Sequence, residues 1–113
     1  MQVSEVLAVK GTVLYTISPE RKLSEAVATM SDQDVGSLVC FEGGHMVGML
    51  TFREILKVLR DQGAAWGSVR VAEVMIKDPV VGRPDMEVDE LRRLMVDQHM
   101  RYLPVMDDGV LLG

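Results

Sequence analysis

The sequence predicts an α+β fold made of two tandem β-α-β-β-α units, and three observations carry that prediction. Ser18-Pro19-Glu20-Arg21-Lys22-Leu23-Ser24-Glu25-Ala26 lies over Arg83-Pro84-Asp85-Met86-Glu87-Val88-Asp89-Glu90-Leu91 at a spacing of 65 residues. The register then holds without a gap, setting Met30 on Met95, Asp32-Gln33 on Asp97-Gln98, Leu38 on Leu103, Gly44 on Gly109 and Gly48 on Gly113. Within each copy the apolar pattern alternates between short strand-like runs and three- and four-residue helical steps.

The elements follow in order. Val13 to Ile17 is β-branched and aromatic and reads as a strand, which Ser18-Pro19-Glu20 closes as a turn. From Leu23 the apolar positions Leu23, Ala26, Val27 and Met30 fall on one face, with Ser24, Glu25 and Asp32 on the other, so an amphipathic helix follows. Its partner in the second copy carries Val88, Leu91, Leu94 and Met95. Ser37 to Phe41 and Met46 to Leu50 are strands, and the permissive turn Glu42-Gly43-Gly44-His45 joins them as a hairpin. Thr51 then precedes Ile55, Leu56, Val58 and Leu59, a helix that ends around Gly63, and 63–68 is a linker.

Upstream, Val3-Ser4-Glu5-Val6-Leu7 matches Val71-Ala72-Glu73-Val74-Met75 at a spacing of 68, so the first copy has a longer lead-in. The first copy runs on through Met49-Leu50-Thr51-Phe52-Arg53-Glu54 and a helix, whereas the second stops at Gly113 without that last helix. The expected division is residues 1–66 for the first repeat with the start of the linker and 67–113 for the incomplete second. A repeat of about sixty residues covers its own sheet poorly, so the two are expected to pack as one module. Apolar sheet left uncovered at the incomplete end favours a homodimer. Continued in register, the chain would carry a Ser or Thr three residues past Gly113 and an acidic residue three later.

Composition narrows the function. With 48% hydrophobic and 26% charged residues the chain has the proportions of a folded globule. A net charge of −5 with no basic run argues against nucleic acid or an anionic membrane as partner, since both need clustered Lys and Arg. No apolar run approaches the ~20 residues of a membrane span, and the N-terminus has no targeting pattern, so a cytoplasmic protein is expected. The single cysteine, Cys40, sits in the apolar run Leu38-Val39-Cys40-Phe41 and reads as a core thiol. Of the nine methionines, Met30, Met46, Met95 and Met106 fall at core-facing positions.

Catalysis finds no residue set to carry it: no Ser-His-Asp or Cys-His arrangement and no Gly-rich phosphate loop is present, and the carboxylates are scattered. His45, in the hairpin turn, and His99, late in a helix, have no Cys or His at metal-ligand spacing, so no metal is expected. The sharpest local feature is Thr51-Phe52-Arg53-Glu54 between a strand and a helix. One reading is a capping box in which Thr51 and Glu54 satisfy N–H groups of the helix start. The other is a phosphate or ribose site at a helix N-terminus.

The runs Val6-Leu7, Lys10-Gly11, Thr16-Ile17-Ser18-Pro19, Glu25-Ala26, Met30, Val35-Gly36-Ser37-Leu38-Val39 and Gly48-Met49-Leu50-Thr51-Phe52-Arg53-Glu54 resemble the first cystathionine-β-synthase (CBS) repeat of small CBS-pair proteins. Val71-Ala72-Glu73-Val74-Met75 and Met100-Arg101-Tyr102-Leu103-Pro104-Val105-Met106-Asp107-Asp108-Gly109 resemble the second. The resemblance covers residues 3–113 and implies a CBS pair, or Bateman module: two repeats about a pseudo-two-fold axis with two clefts between them. Such a module regulates a partner, binds AMP, ATP, NADH or S-adenosylmethionine without a tightly bound cofactor, and dimerises.

The resemblance also implies site residues. The family motif Gly-x-x-Ser/Thr-x-x-Asp/Asn falls on Gly48, Thr51 and Glu54, with Glu in place of Asp, whose extra methylene moves the carboxylate. The same cleft would take Lys77 and Val81, and Met100, Arg101 and Tyr102, from the second repeat. Arg53 and Arg101 are the candidate phosphate partners, because guanidinium matches phosphate with paired charge-assisted bonds. Tyr102 would close over an adenine face or simply pack. The twin cleft would use Thr12, Val35, Gly36 and Ser37, and its motif residues would lie beyond Gly113. A module of the same fold that binds no ligand and docks a partner through its surface is the alternative.

Overall fold

A computed structural model describes residues 1–11 and 14–113. In chain order the elements are α1 (Val3–Lys10), β1 (Thr16–Ile17), α2 (Leu23–Gln33), β2 (Ser37–Glu42), β3 (His45–Thr51), α3 (Phe52–Gln62), α4 (Val71–Val74), β4 (Ile76–Lys77), α5 (Val88–Asp97), β5 (Met106–Asp107) and β6 (Val110–Leu111), with a 3-10 turn at Gly63–Ser68 before α4. The chain forms two compact units, Tyr15–Asp78 and Met1–Leu14 with Pro79–Gly113. The units are cut differently from the repeats, because each contains the lead-in of the other copy.

In the unit Tyr15–Asp78, four strands form one sheet in the order β1-β2-β3-β4. β1 is parallel to β2, and β2, β3 and β4 are antiparallel neighbours. Gly43 (φ 59°) and Gly44 (φ 79°) supply the two left-handed positions that a two-residue hairpin matched to strand twist requires. α2 lays Leu23, Ala26 and Met30 into the core, and Ile17, Leu38, Cys40, Leu50, Ile55, Val58 and Val71 complete it. The expected linker at 63–68 is ordered: Trp66 packs half-buried against that core. The first strand is shorter than expected, covering only Thr16–Ile17, because its ladder with β2 consists of Thr16 on Val39 and Ile17 on Cys40. Tyr15 still contributes its carbonyl to Val39 N–H at 3.2 Å, and Val13 lies outside the described residues.

The other unit repeats this local chemistry 65 residues on. Its hairpin pairs Met106 with Leu111 and Asp107 with Val110, as Phe41 pairs with Met46 and Glu42 with His45. Asp108 (φ 48°) and Gly109 (φ 78°) stand where Gly43 and Gly44 stand. Gly82 bridges Val105 in parallel, as Ile17 pairs with Cys40. Val3, Met86 and Val105 are buried at its centre, with Leu7, Leu91, Leu94 and Leu112 packed around them.

His99 is corrected by the same comparison. It lies past the end of α5 with φ 54°, the counterpart of Asp34 at φ 53°, which closes α2. Met100 N–H reaches the Met95 carbonyl at 2.8 Å as Val35 N–H reaches Met30 at 3.0 Å, so each left-handed residue turns the chain back over its helix end.

The lead-ins dock by a matched set of backbone hydrogen bonds, each within its own unit. Val71 N–H donates to the Arg21 carbonyl and Val3 N–H to that of Met86, at 2.9 and 2.8 Å. Ala72 donates to Pro19 and Ser4 to Pro84, both at 2.9 Å. Leu23 donates to Val69 at 2.7 Å and Val88 to Met1 at 2.9 Å. Each lead-in starts a helix whose Glu accepts the N–H of the residue just before its first position: Gln2 to Glu5 at 3.0 Å and Arg70 to Glu73 at 2.8 Å. α1 was not evident from periodicity, since its apolar residues run round the helix and only Val3 is buried. The lead-in of one copy therefore completes the core of the other.

Met30, Met49 and Met86 are buried, while Met46, Met95 and Met106 are half-buried. No described helix is long and apolar enough to cross a membrane. Cys40 is fully buried, and burial pushes its thiol up from an ordinary 9.0 to about 12. An unfolded chain loses this proton first, so the stability carried by Cys40 is complete below pH 9 and declines between pH 9 and about 12. At pH 8 a chromogenic disulfide reagent should leave the native thiol untouched and titrate it on denaturation; rapid reaction of the folded protein would contradict its burial.

Candidate functional site

β2 opens at Ser37 and β3 closes at Thr51, and these two residues face each other in the ladder. The Gly36 carbonyl accepts Phe52 N–H at 3.1 Å, so Val35-Gly36-Ser37 runs beside Thr51-Phe52 at one end of one sheet. Segments expected in two different clefts meet here within a single unit. No residue type signals this meeting, because the tie between Gly36 and Phe52 is made by the backbone alone.

At the start of α3 the Thr51 side chain and Glu54 form a reciprocal cap. Thr51 donates its N–H to Glu54 Oε1 at 2.8 Å and its hydroxyl to the same oxygen at 2.7 Å. Thr51 Oγ1 in turn accepts Arg53 N–H at 3.3 Å and also receives the Glu54 N–H of the capping box. Glu54 is only 9% exposed and is the one buried charged side chain among the described residues. The capping reading of the motif is thus realised, and its carboxylate is turned back upon its own helix start.

Lys77 stands opposite Gly48 in β4. Three ladder positions separate it from the level of Thr51, about 10 Å at the usual rise of a strand. Arg53 is exposed on the first turn of α3. In the other unit, Val81 precedes the Gly82 bridge to Val105, Met100 and Tyr102 are half-buried, and Arg101 is exposed. Thr12 lies outside the described residues. Among the described residues no group of three His, Cys, Asp or Glu side chains could hold a metal ion.

A model of the CBS domain matches residues 3–61 and 71–113. The chain belongs to the CBS-domain family. Its two matched stretches are the two copies found by self-comparison. The CBS domain-containing protein YhcV of Bacillus subtilis is 34% identical over 97% of this chain and 78% of its own length. Inosine-5'-monophosphate dehydrogenase of Nitrosopumilus maritimus is 31% identical over 99% of this chain, which spans 24% of that protein. Among solved structures, a CBS-domain containing protein from Agrobacterium tumefaciens has a TM-score of 0.96 at 29% identity, covering 99% of this chain and 84% of its own. The α+β CBS-pair fold expected from the sequence is therefore the fold found.

Proposed function

We propose that this CBS pair is a cytoplasmic regulatory module that binds an adenine nucleotide, dimerises and signals to a partner protein, and is not itself an enzyme. The observation that carries the reading is the meeting of Val35-Gly36-Ser37 with Thr51 and Glu54 at one sheet end, where hydroxyls and a buried carboxylate lie side by side. Such a group of few polar atoms among apolar strands suits a small polar ligand. CBSX2, whose structure was solved with AMP, shares the fold at a TM-score of 0.75 and 24% identity. The CBS pair of protein MJ0100, solved with 5'-methylthioadenosine and S-adenosyl-L-methionine, does so at 0.87 and 21%.

AMP, ATP, NADH and S-adenosylmethionine are the candidate ligands. Candidate contacts are Thr51, Arg53, Glu54 and Lys77, with Val81, Met100, Arg101 and Tyr102 from the second repeat; Val35, Gly36 and Ser37, expected for the twin site, stand at the same sheet end as Thr51 and join it as candidates. Dimerisation is supported by an apolar groove of Val27, Met30, Val35, Phe52, Ile55 and Leu56 along α2 and α3, beside which Leu59 is 41% exposed.

A ligand-free docking module is the second reading, favoured by the internal satisfaction of the α3 cap. Calorimetric titration with the four candidates separates the two. Heat is expected from at least one, and Thr51→Ala should weaken that ligand about tenfold, because it removes the hydroxyl that holds Glu54 Oε1 at 2.7 Å. Heat from none favours docking, and heat unaltered in both Thr51→Ala and Arg101→Ala moves the site elsewhere.

A further inference from the structure

We infer that the unit Tyr15–Asp78 carries a second site, at the outer edge of its sheet, that takes a single α-amino acid by its paired ammonium and carboxylate. The inference stands apart from the adenine reading, because no residue named for that ligand lines this site.

A cavity of about 480 Å³ opens beside β1, the edge strand in the order β1-β2-β3-β4. Thr16, Ile17 and Ser18 line it from the strand and its turn, and Arg21, Glu25 and Thr29 from the approach to α2 and its first turns. Phe41, at the far end of β2, completes the lining. Arg21 and Glu25 form an ion pair at 3.0 Å, with side chains 64% and 46% exposed. The Thr29 hydroxyl donates to the Glu25 carbonyl at 3.1 Å, so toward a ligand its oxygen serves as an acceptor.

The fold does not demand this polarity. In the register of the repeat, Val81 stands for Thr16, Met86 for Arg21 and Leu94 for Thr29. Met86 is buried there, and Leu94 packs against the core around it. Positions that close a core in one copy are thus polar and open in the other. Glu90 stands for Glu25, so the acidic position is common to both copies and Arg21 is what gives the first its charge pair.

A lining with one cation and one anion favours a ligand that carries both. A simple anion would meet Glu25 and a simple cation Arg21, and like charges set side by side cost affinity. An α-amino acid holds its two charges on one carbon. Its carboxylate matches the Arg21 guanidinium with paired charge-assisted bonds, and its ammonium matches the Glu25 carboxylate, with Thr29 as a further acceptor. The protein's own pair yields readily, since an exposed ion pair contributes little to stability. The outer side of an edge strand adds backbone groups for the same polar ends, and Phe41 offers an apolar surface to the ligand's side chain.

The test is a proton–nitrogen NMR titration with L-serine, L-glutamine and L-phenylalanine, following the amides of Thr16, Ser18 and Thr29. At least one of the three should move these amides along a single saturating curve. The corresponding amine without the carboxylate, and the corresponding acid without the ammonium, should each bind about tenfold or more weakly. Arg21→Gln and Glu25→Gln should each weaken the amino acid about tenfold while the thermal melt holds, because the pair is exposed. No saturating shift with any of the three overturns the inference. So does an amine or acid that binds as tightly as its parent, or binding unweakened in both variants. Adenosine is expected at Ser37, Thr51 and Arg53 instead, so failure of either reading leaves the other intact.

Discussion

Gly48→Val should lower the melting temperature by roughly 5–15 °C, equivalent to about 1–3 kcal/mol or more. A Cβ at Gly48 would lie 2.7 Å from Met75 Sδ and 2.8 Å from the Ile76 carbonyl oxygen. The methionine is flexible and can withdraw, but the carbonyl belongs to β4, which is held to β3 through Gly48 on Lys77 and Met49 on Ile76. The strand must shift as a whole, which loosens the lead-in that completes this core. Met75→Ala combined with Gly48→Val should therefore restore little. Full recovery in the double variant would show that side-chain crowding, and not the backbone approach, fixes this glycine.

Gly82→Ile is expected to be as damaging, at about 3 kcal/mol, yet correctable from a second position. In the first copy the equivalent pair is Ile17 and Ala26, both buried in one core. In the second, Gly82 stands for Ile17 and Leu91 for Ala26, and a Cβ on Gly82 would meet Leu91 Cδ1 at 2.6 Å and Leu103 Cδ2 at 2.9 Å. Bulk has moved from the strand to the helix. Leu91→Ala alone opens a void and should cost about 2 kcal/mol, since Leu91 is only partly buried. Together the two substitutions recreate the pair of the first copy, so a double-mutant cycle in urea should show a compensating coupling of about 1–3 kcal/mol. Simple additivity would deny the exchange of volume.

Most of the fold was legible because the repeat preserves positions with special backbone demands. Gly43-Gly44 and Asp108-Gly109 mark the hairpins, and the helical steps from Leu23 and Val88 mark α2 and α5. Asp34 and His99 do occupy equivalent left-handed positions, but a histidine is a weaker sign of a helix end than a glycine, and His99 was placed inside the helix. The docking of each lead-in onto the opposite copy was not legible, since it runs through backbone N–H and carbonyl groups of ordinary residues. Its only trace was the change of spacing from 65 to 68.

The site divides in the same way. The S/T-x-x-E spacing of Thr51 and Glu54 announced a capping box, and the structure forms it. That the box would consume every N–H of the first turn depended on the Gly36 carbonyl, which sequence reading cannot place.

The claim that an adenine ligand sits where β2 opens and β3 closes is tested most directly by a proton–nitrogen NMR titration with adenosine. The amides of Ser37, Thr51 and Arg53 should shift together and saturate along one binding curve. Saturating adenosine that leaves all three in place, whether or not other amides move, would contradict the account.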